Sequence, residues 1–366
     1  MSTVPPGEAG SRPGASPPQV IIQQRPPTAL GRYGKFLIIA LVLAVMTIIG
    51  QRASYRSYFS PAGEPQEKYH SLSEEAEQKI AIIRIEGTIL DTDGFVKKQI
   101  DRVREDESVV GVVLRIDSPG GTVTASDYLY HQLIDMANDR EPAKNRQFPV
   151  VVSMGGICAS GGYYLAMAVG DRPDAIFAEP STWSGSIGVV IPHYDLSGLL
   201  ESWHVKDDSI ASHKYKLMGS PTRALSPEER AEERQLLTTL VDESFERFKN
   251  IVRSGRPKLN GDEAALDKAT TGQIFTTEQA LELGLVDQQG FLEDAVQRAA
   301  ELAGRDPHEL RCVKYEEPPT GMDMLLGADS GLAPAATLDL GAIARLAGMR
   351  PYYLWNWLPA ILSERR

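Results

Sequence analysis

The sequence predicts an α/β fold with a mostly parallel sheet, because apolar strands alternate with helical segments. Strands are expected at Lys79–Gly87, Val109–Asp117 and Val150–Met154, and each is dominated by apolar residues. Helical runs at Lys97–Glu107 and Thr122–Asn138 separate these strands. Strands that are apolar along their length are typical of a parallel sheet covered by helices on both faces.

The same alternation continues toward the C-terminus. Asp174–Ala178 and Ile187–Ile191 are predicted as further strands. Ser226–Glu229 forms a capping-box sequence with proline in the first helical turn, and it predicts a long helix to about Ser254. A shorter helix from about Thr277, a helix over Leu292–Ala303 and a strand over Leu310–Tyr315 complete a domain predicted to span residues 78–315.

Composition excludes some classes of function. The 366 residues carry a formal net charge of −11, and no run of basic residues could bind phosphate, so we expect no nucleic-acid partner. Cys158 and Cys312 are far apart in sequence and lack metal-ligand spacing. We therefore expect no metal site, no cofactor and no disulfide, with Cys158 acting as a small apolar residue.

Three segments precede the predicted domain. Residues 1–31 are rich in Pro, Gly, Ser and Gln and are predicted to be a disordered tail. Residues 33–52 enclose the uncharged run Phe36–Gly50 and are predicted to form one N-terminal transmembrane anchor. As a helix this run is about 22 Å long, which is shorter than the hydrocarbon core of a bilayer, about 30 Å. Flanking charged side chains must therefore extend along the helix to reach the interface. Residues 53–77 are polar and are predicted to be a stalk.

A cleaved signal peptide and a buried helix are alternatives for the apolar run. Gly50–Ala53 lacks the small-residue pattern of a cleavage site, and the run lacks the polar stripe of a helix packed on a globular domain. A short tail before the anchor favours a cytoplasmic tail and an external domain. Residues 316–366 are predicted to be a tail. Its aromatic cluster, Tyr352–Pro359, could contact a membrane interface, this domain or a neighbouring protomer, and the sequence does not distinguish these three alternatives.

Ser160 is the candidate nucleophile. It follows the strand that begins at Val150 and lies within the glycine-rich turn Gly155–Gly162. A serine at a strand-to-helix turn projects its hydroxyl into a cleft, where the N–H of Gly161 faces the same point. The alternative is that the glycines only allow close backbone packing and that Ser160 caps the following helix.

A serine that attacks a carbonyl group also needs hydrogen-bond donors for the oxyanion. Gly120 and Gly121 follow a buried strand and lack side chains. The carboxyl ends of parallel strands meet at one edge of a sheet. We therefore expect their N–H groups to converge with that of Gly161.

The proton acceptor is harder to assign from sequence. Histidines within the domain include His131, His193, His204 and His213, and none of these four lies in a recognisable base motif. The segment Ser212–Pro221 offers two lysines instead, Lys214 and Lys216. For a lysine to accept a proton near pH 7, its pKa must fall by about 3 pH units, about 4 kcal/mol, which burial can supply.

Four motifs in order resemble the signal peptide peptidase A (protease IV) family. They are Asp117–Gly121, Gly155–Tyr164, Ser184–Val189, and Tyr215–Lys216 with its lysine five residues before Pro221. Gln279–Asp287 resembles a later helix-turn of that family. The resemblance covers roughly residues 78–305 and leaves both tails outside it.

The resemblance implies a serine endopeptidase with a Ser-Lys dyad on a crotonase-like, or ClpP-like, α/β fold. Ser160 matches the family's nucleophile and Lys216 its general base. Ser186 matches a serine that holds the lysine, although it can also satisfy a backbone group in its turn. Gly120 and Gly161 match the oxyanion-hole positions.

The family's short forms, which carry one copy of the domain, assemble as rings whose sites take serine and lysine from adjacent protomers. The resemblance therefore implies a homo-oligomer. It also implies hydrophobic peptides as substrates, such as remnant signal peptides. The expected location is the inner (cytoplasmic) membrane, single-pass, with residues 33–52 in the lipid bilayer and the catalytic domain on the extracytoplasmic side.

Two other classes of function compete. A crotonase-type acyl-CoA enzyme shares the implied fold, but it needs neither a serine nucleophile nor an anchor. A membrane-tethered scaffold with a degenerate protease domain is the second alternative, although both dyad residues are present. Asp117 is expected to cap the turn after its strand.

Overall fold

The computed structural model of the protein describes residues 29–59, 64–139, 148–318 and 352–354. The chain divides into two compact units, residues 1–62 and residues 63–366. Most of the predicted N-terminal tail and most of the predicted C-terminal tail lie outside the described residues.

The first unit contains one helix, α1, over Ala29–Phe59. This helix includes the apolar run predicted as an anchor and extends into the segment predicted as a stalk. Its apolar side chains from Phe36 to Ile48 are exposed where the structure describes them. Within the described residues, no helix combines the length and the apolar character needed to cross a membrane.

The second unit alternates strands and helices. Its first half contains β1 (Gln66–Leu72), β2 (Gln78–Ile89), α2 (Phe95–Glu105), β3 (Val109–Thr122), α3 (Val123–Asp139), β4 (Val150–Ala159), α4 (Gly161–Ala166), β5 (Ile176–Ala178), β6 (Trp183–Gly185) and α5 (Ser197–Ser202). Its second half contains α6 (Pro227–Gly255), α7 (Glu263–Ala269), β7 (Ile274–Thr276), α8 (Thr277–Glu282), β8 (Gln288–Gln289), α9 (Leu292–Ala303), β9 (Leu310–Glu316) and β10 (Tyr352–Leu354).

The described strands form one mixed sheet with the main order β1-β9-β2-β3-β4-β5-β8. Neighbours from β9 to β8 are parallel, and β1 is antiparallel to β9. Beyond this path, β6 runs parallel to the end of β4 and antiparallel to β7. The predicted α/β class with a mostly parallel sheet flanked by helices is therefore confirmed.

Both faces of the sheet are buried, which explains why its strands are apolar along their length. On one face, Ile83 of β2 joins a core with residues of α2, α3 and α4. On the other face, Ile80 and Ile82 join a smaller core with Ala295 and Ala299 of α9. Successive residues of a strand point to opposite faces, so each β2 position meets one of the two helical layers.

Some elements differ from the sequence expectation. The segment predicted as a stalk contributes β1, whose polar residues pair with β9 at the sheet edge. Polar, charged residues are common on edge strands, so this strand lacks the apolar signature of a central one. The strand predicted over Ile187–Ile191 does not form. The chain turns away after β6 because Gly185 and Ser186 both adopt positive φ, +92° and +51°.

A buried ion pair fixes the end of α6 to the sheet. Arg256 donates to both carboxylate oxygens of Asp287, at 2.7 and 3.1 Å, and the two side chains are each 4% exposed. Asp287 also accepts from the backbone N–H groups of Ala175 and Ile176 at the start of β5. Burial opposes ionisation of Asp287, but its bonds to Arg256 outweigh this and hold the pKa of the carboxyl below its usual value.

Replacement of Asp287 by asparagine is expected to destabilise the domain by about 3–5 kcal/mol at pH 7, because the Arg256 charge stays buried without a counter-charge. Glu301→Gln, at the exposed end of the Arg298–Glu301 pair, is expected to change stability by about 0.5 kcal/mol or less. Urea unfolding followed by circular dichroism measures both.

The pH dependence of the same comparison follows from the lowered pKa of Asp287. A carboxyl group whose pKa is lower in the folded than in the unfolded protein stabilises the fold at pH values above its unfolded-state pKa. This stabilisation is lost as the pH falls through the folded-state pKa. The wild type and Asp287→Asn should therefore converge in stability below about pH 4. A constant difference between them from pH 7 to pH 3 would contradict this account.

Candidate active site

Ser160 lies at a sharp turn between β4 and α4. Its backbone adopts φ +54° and ψ −116°, a conformation that is rare for residues other than glycine. The residue is 1% exposed, and its side chain makes no capping hydrogen bond to α4. Ser160 is thus the N-cap residue of α4 by position, but its hydroxyl does not act as the cap.

The end of β3 packs directly against this turn through side-chain-free backbone. A Cβ atom built on Gly120 would lie 2.7 Å from Gly161 N and 3.0 Å from Ser160 Cβ. A Cβ atom built on Gly161 would lie 3.1 Å from Gly121 N and 2.4 Å from Ser126 Oγ. The structure thus brings Gly120, Gly121 and Gly161 together beside Ser160, and no side chain fits between them.

A local network fixes Gly120. Its φ of +102° favours glycine, and its N–H donates to Ser118 Oγ at 3.1 Å. Ser118 in turn donates to the carbonyl oxygen of Gly87 at 2.6 Å. In this structure the Gly120 N–H therefore already has a partner beside the nucleophile.

The turn that contains Ser186 lies against the Ser160 turn. Ser160 N–H donates to the carbonyl oxygen of Gly185 at 2.8 Å, next to Ser186 in the chain. Ser186 is 7% exposed, and its backbone N–H donates to Gln273 O at 2.7 Å. Parallel pairing of β6 with β4 produces this contact, since Ser184 pairs with Cys158.

Lys216 lies on the surface of the single chain. It belongs to a short 3₁₀ turn over Lys214–Leu217, and its side chain is exposed. Within the described part of this single chain, no hydrogen bond joins its amine to Ser160 or Ser186. The role of Lys216 as the general base therefore stays a prediction.

The alternative lysine, Lys214, is engaged elsewhere. Its amine forms an ion pair with Glu232, and the hydroxyl of Tyr215 donates to the same carboxylate. The hydrogen bond to Glu232 raises the pKa of Lys214 above its usual value. This shift favours the charged form, which cannot accept a proton, so Lys214 is a poor base.

The other candidate groups have structural roles or no link to the nucleophile. Asp117 Oδ1 accepts from the Ile157 N–H at 3.0 Å, so it contacts the glycine-rich segment of β4. The expected cap of the turn after its own strand is not seen, because β3 continues past Asp117 to Thr122. Cys158 is a buried free thiol, and burial raises its pKa. His131 lies 3.3 Å from an Arg247 nitrogen, and no hydrogen bond joins Ser160 to any histidine in the described ranges.

An aromatic pocket beside the nucleophile was not predicted from sequence, although packing of the C-terminal aromatic cluster on this domain was one of the three alternatives left open, and Tyr353 does pack there. Tyr164 lies one helical turn after Ser160, and its ring is enclosed by the rings of Tyr130, Phe248 and Tyr353. Tyr353 belongs to β10, about 190 residues away in the chain, so only the fold could bring it here. Among the described residues, no group of acidic, histidine or cysteine side chains could hold a metal ion.

A strained, buried serine beside side-chain-free backbone is the arrangement of α/β enzymes that attack carbonyl groups with a hydroxyl. The profile of Peptidase family S49 matches residues 142–306. A putative protease of Synechocystis is 38% identical over 263 residues, which cover 71% of this chain and 87% of the relative. The chain therefore belongs to this peptidase family, the signal peptide peptidase A family.

Two further relatives bear the family's names. Protease 4 of Salmonella typhi is 35% identical over 69% of this chain, and the match covers 39% of that protein. A putative signal peptide peptidase SppA of Enterococcus faecium is 35% identical over 54% of this chain, and the match covers 52% of that protein. The family resemblance inferred from the motifs is confirmed, and the chain is a peptidase.

Gly161→Ala is expected to lower kcat/KM for peptide hydrolysis about a hundred-fold, because its methyl group would push the Ser160 turn away from β3. Gly198→Ala is the matched control, since a Cβ built there meets no atom within 4 Å. Steady-state kinetics on both folded variants measure the effect. Equal activity of the two variants would contradict a functional role for this backbone contact.

Proposed function

We propose that this protein is a serine endopeptidase with a Ser-Lys dyad. Ser160 is the nucleophile, Lys216 is the general base, and Ser186 holds the lysine. Gly120 and Gly161 donate to the oxyanion. The observation that carries the proposal is the conformation of Ser160, a strained and buried serine whose hydroxyl has no capping role.

In this mechanism the neutral Lys216 amine takes the Ser160 proton while Oγ bonds to the substrate carbonyl carbon. The negative charge moves to the carbonyl oxygen, where backbone N–H groups stabilise it. Collapse of the tetrahedral intermediate breaks the C–N bond, and the lysine returns the proton to the leaving amine. Water then releases the acyl group from Ser160 by the same steps. Gly120 joins the oxyanion donors when its N–H is shared with, or released from, Ser118.

A second copy of the chain completes the proposed dyad. The Lys216 side chain is exposed in the single chain, whereas a lysine that acts as a general base needs burial in a dry cleft. Apolar side chains that precede Lys216 in the sequence are also exposed: Ile210, Trp203 and Val205 are 100%, 65% and 50% exposed. A neighbouring protomer that covers this surface would bury the amine and bring it to an adjacent Ser160. We therefore propose a homo-oligomer, in ring form, on a crotonase-like or ClpP-like fold.

Hydrophobic peptides are the proposed substrates, and the inner (cytoplasmic) membrane is the proposed location. One relative is named a signal peptide peptidase, which supports remnant signal peptides as the class. Residues 33–52 are the proposed single-pass bilayer contact, with the catalytic domain on the extracytoplasmic side. Support comes from the uncharged run Phe36–Gly50 and the exposed apolar side chains of α1.

Mixing two inactive chains tests the shared dyad. Ser160→Ala and Lys216→Ala are each expected to abolish hydrolysis of a quenched hydrophobic peptide. Hybrids assembled from equal amounts of both chains should recover about a quarter of wild-type activity, because about one interface in four then joins an intact serine to an intact lysine. Lys214→Ala is the matched control and should remain active.

Three results would contradict this proposal. Inactive hybrids with a normal assembly size would refute a dyad shared between chains. Hydrolysis by the Lys216→Ala chain would show that Lys216 is not the general base. Hydrolysis by the Ser160→Ala chain would show that Ser160 is not the nucleophile.

A further inference from the structure

A buried serine of α3, Ser126, has no hydrogen-bond partner in the described part of the chain. The residue is 0% exposed, and its Oγ atom forms no hydrogen bond there. A buried hydroxyl without a partner costs free energy, because the group has given up its hydrogen bonds to water. Such groups are rare in native proteins, and catalytic sites are one of the places where they occur.

The Ser126 hydroxyl lies against Gly161, the residue that follows the nucleophile. A Cβ atom built on Gly161 would lie 2.4 Å from Ser126 Oγ and 3.1 Å from Gly121 N. The hydroxyl therefore occupies the space that a side chain of Gly161 would take. It lies between α3 and the backbone that carries the proposed oxyanion donor.

The N-terminal turn of α3 positions Ser126. The helix begins at Val123, directly after β3 ends at Thr122, and Thr122 Oγ1 accepts from the Ala125 N–H at 3.2 Å. Ser126 is the fourth residue of this 17-residue helix, so it lies at the positive end of the helix dipole. That end of a helix favours a nearby negative charge, such as the oxygen of a tetrahedral intermediate.

The donors around Ser160 differ in whether they already have an acceptor. The Gly120 N–H donates to Ser118 Oγ at 3.1 Å. The Ser126 hydroxyl has no such partner, and its hydrogen can rotate about the Cβ–Oγ bond toward an acceptor that arrives. Oxyanion sites combine backbone N–H groups with side-chain donors, serine hydroxyls included. Ser126 therefore offers an unoccupied donor next to Gly161.

We propose that Ser126 is a further catalytic residue, whose hydroxyl donates a hydrogen bond to the oxyanion that forms when Ser160 attacks a peptide carbonyl group. This bond adds to the one from the Gly161 N–H, and the substrate supplies the acceptor that the resting site lacks. The inference rests on the proposed peptidase function and adds a donor to it. Because the free hydroxyl costs stability in the resting enzyme, its loss should slow catalysis without weakening the fold.

Kinetics and stability of Ser126→Ala, both measured on the full-length assembled protein, test this role. The kcat for a quenched hydrophobic peptide should fall about a hundred-fold with KM within about two-fold of wild type, because the bond strengthens only as charge develops on the oxygen. Affinity for a peptide boronic acid, whose adduct on Ser160 is tetrahedral and anionic, should fall by a similar factor. The melting temperature, followed by circular dichroism, should equal or exceed that of the wild type.

Two variants separate the donor from general packing effects. Ser153→Ala is the matched control, because Ser153 on β4 is also fully buried but accepts from Arg115 at 2.9 Å. Its replacement should lower the melting temperature by about 3 °C and leave kcat unchanged. Ser126→Cys retains a side chain of similar size but offers only a weak S–H donor, so its kcat should stay low.

Several outcomes would overturn the proposal. A wild-type kcat in Ser126→Ala means that the hydroxyl takes no part in the reaction, and a raised KM with unchanged kcat means that it does not bind the oxyanion. A loss of kcat that is matched by Ser153→Ala, or that accompanies a lower melting temperature, indicates a packing role. If Ser126→Ala unfolds, Ser126→Cys replaces it, and unfolding of both assigns the residue to the core. Failure of the peptidase proposal would be seen separately, as a wild-type protein that does not hydrolyse the peptide.

Discussion

The close contact between two backbone segments that contain glycine is the constraint on which the position of Ser160 depends. The end of β3 at Gly120–Gly121 lies against the start of α4 at Gly161, with no room for a side chain at either place. This close packing holds Ser160 at a positive φ that would otherwise cost about 1–3 kcal/mol. Because the strain is maintained by the surrounding fold, the hydroxyl is positioned before any substrate arrives.

The remaining architecture supports this contact from both sides. Helices cover each face of the parallel sheet, which fixes where β3 and β4 end. Tyr163, on α4, donates to the Leu285 carbonyl at 2.8 Å, and the nearby buried pair Arg256–Asp287 binds that segment to α6 and β5. The helix that follows the nucleophile is therefore linked to the sheet through groups whose loss leaves a buried carbonyl oxygen or a buried charge unpaired.

Sequence alone predicted what depends on local pattern and missed what depends on distant packing. The capping box at Ser226 and the apolar strands predicted α6 and the central sheet, because these signals are contained in a few neighbouring residues. The glycine-rich turns likewise predicted that Gly120 and Gly161 lie beside Ser160. The polar edge strand β1 carries no apolar signature, and Tyr353 reaches its pocket only through tertiary structure. Lys216 is exposed in the single chain, and its role as the base stays a prediction.

The central claim is that the geometry of this turn makes Ser160 the reacting group. The most direct measurement is labelling of the assembled wild-type protein with a fluorophosphonate, followed by digestion and mass mapping of the modified residue. The account predicts a single adduct on the peptide that contains Ser160, with Ser184 and Ser186 unmodified. An adduct on a different serine, or hydrolysis of peptides that persists without any adduct, would contradict it.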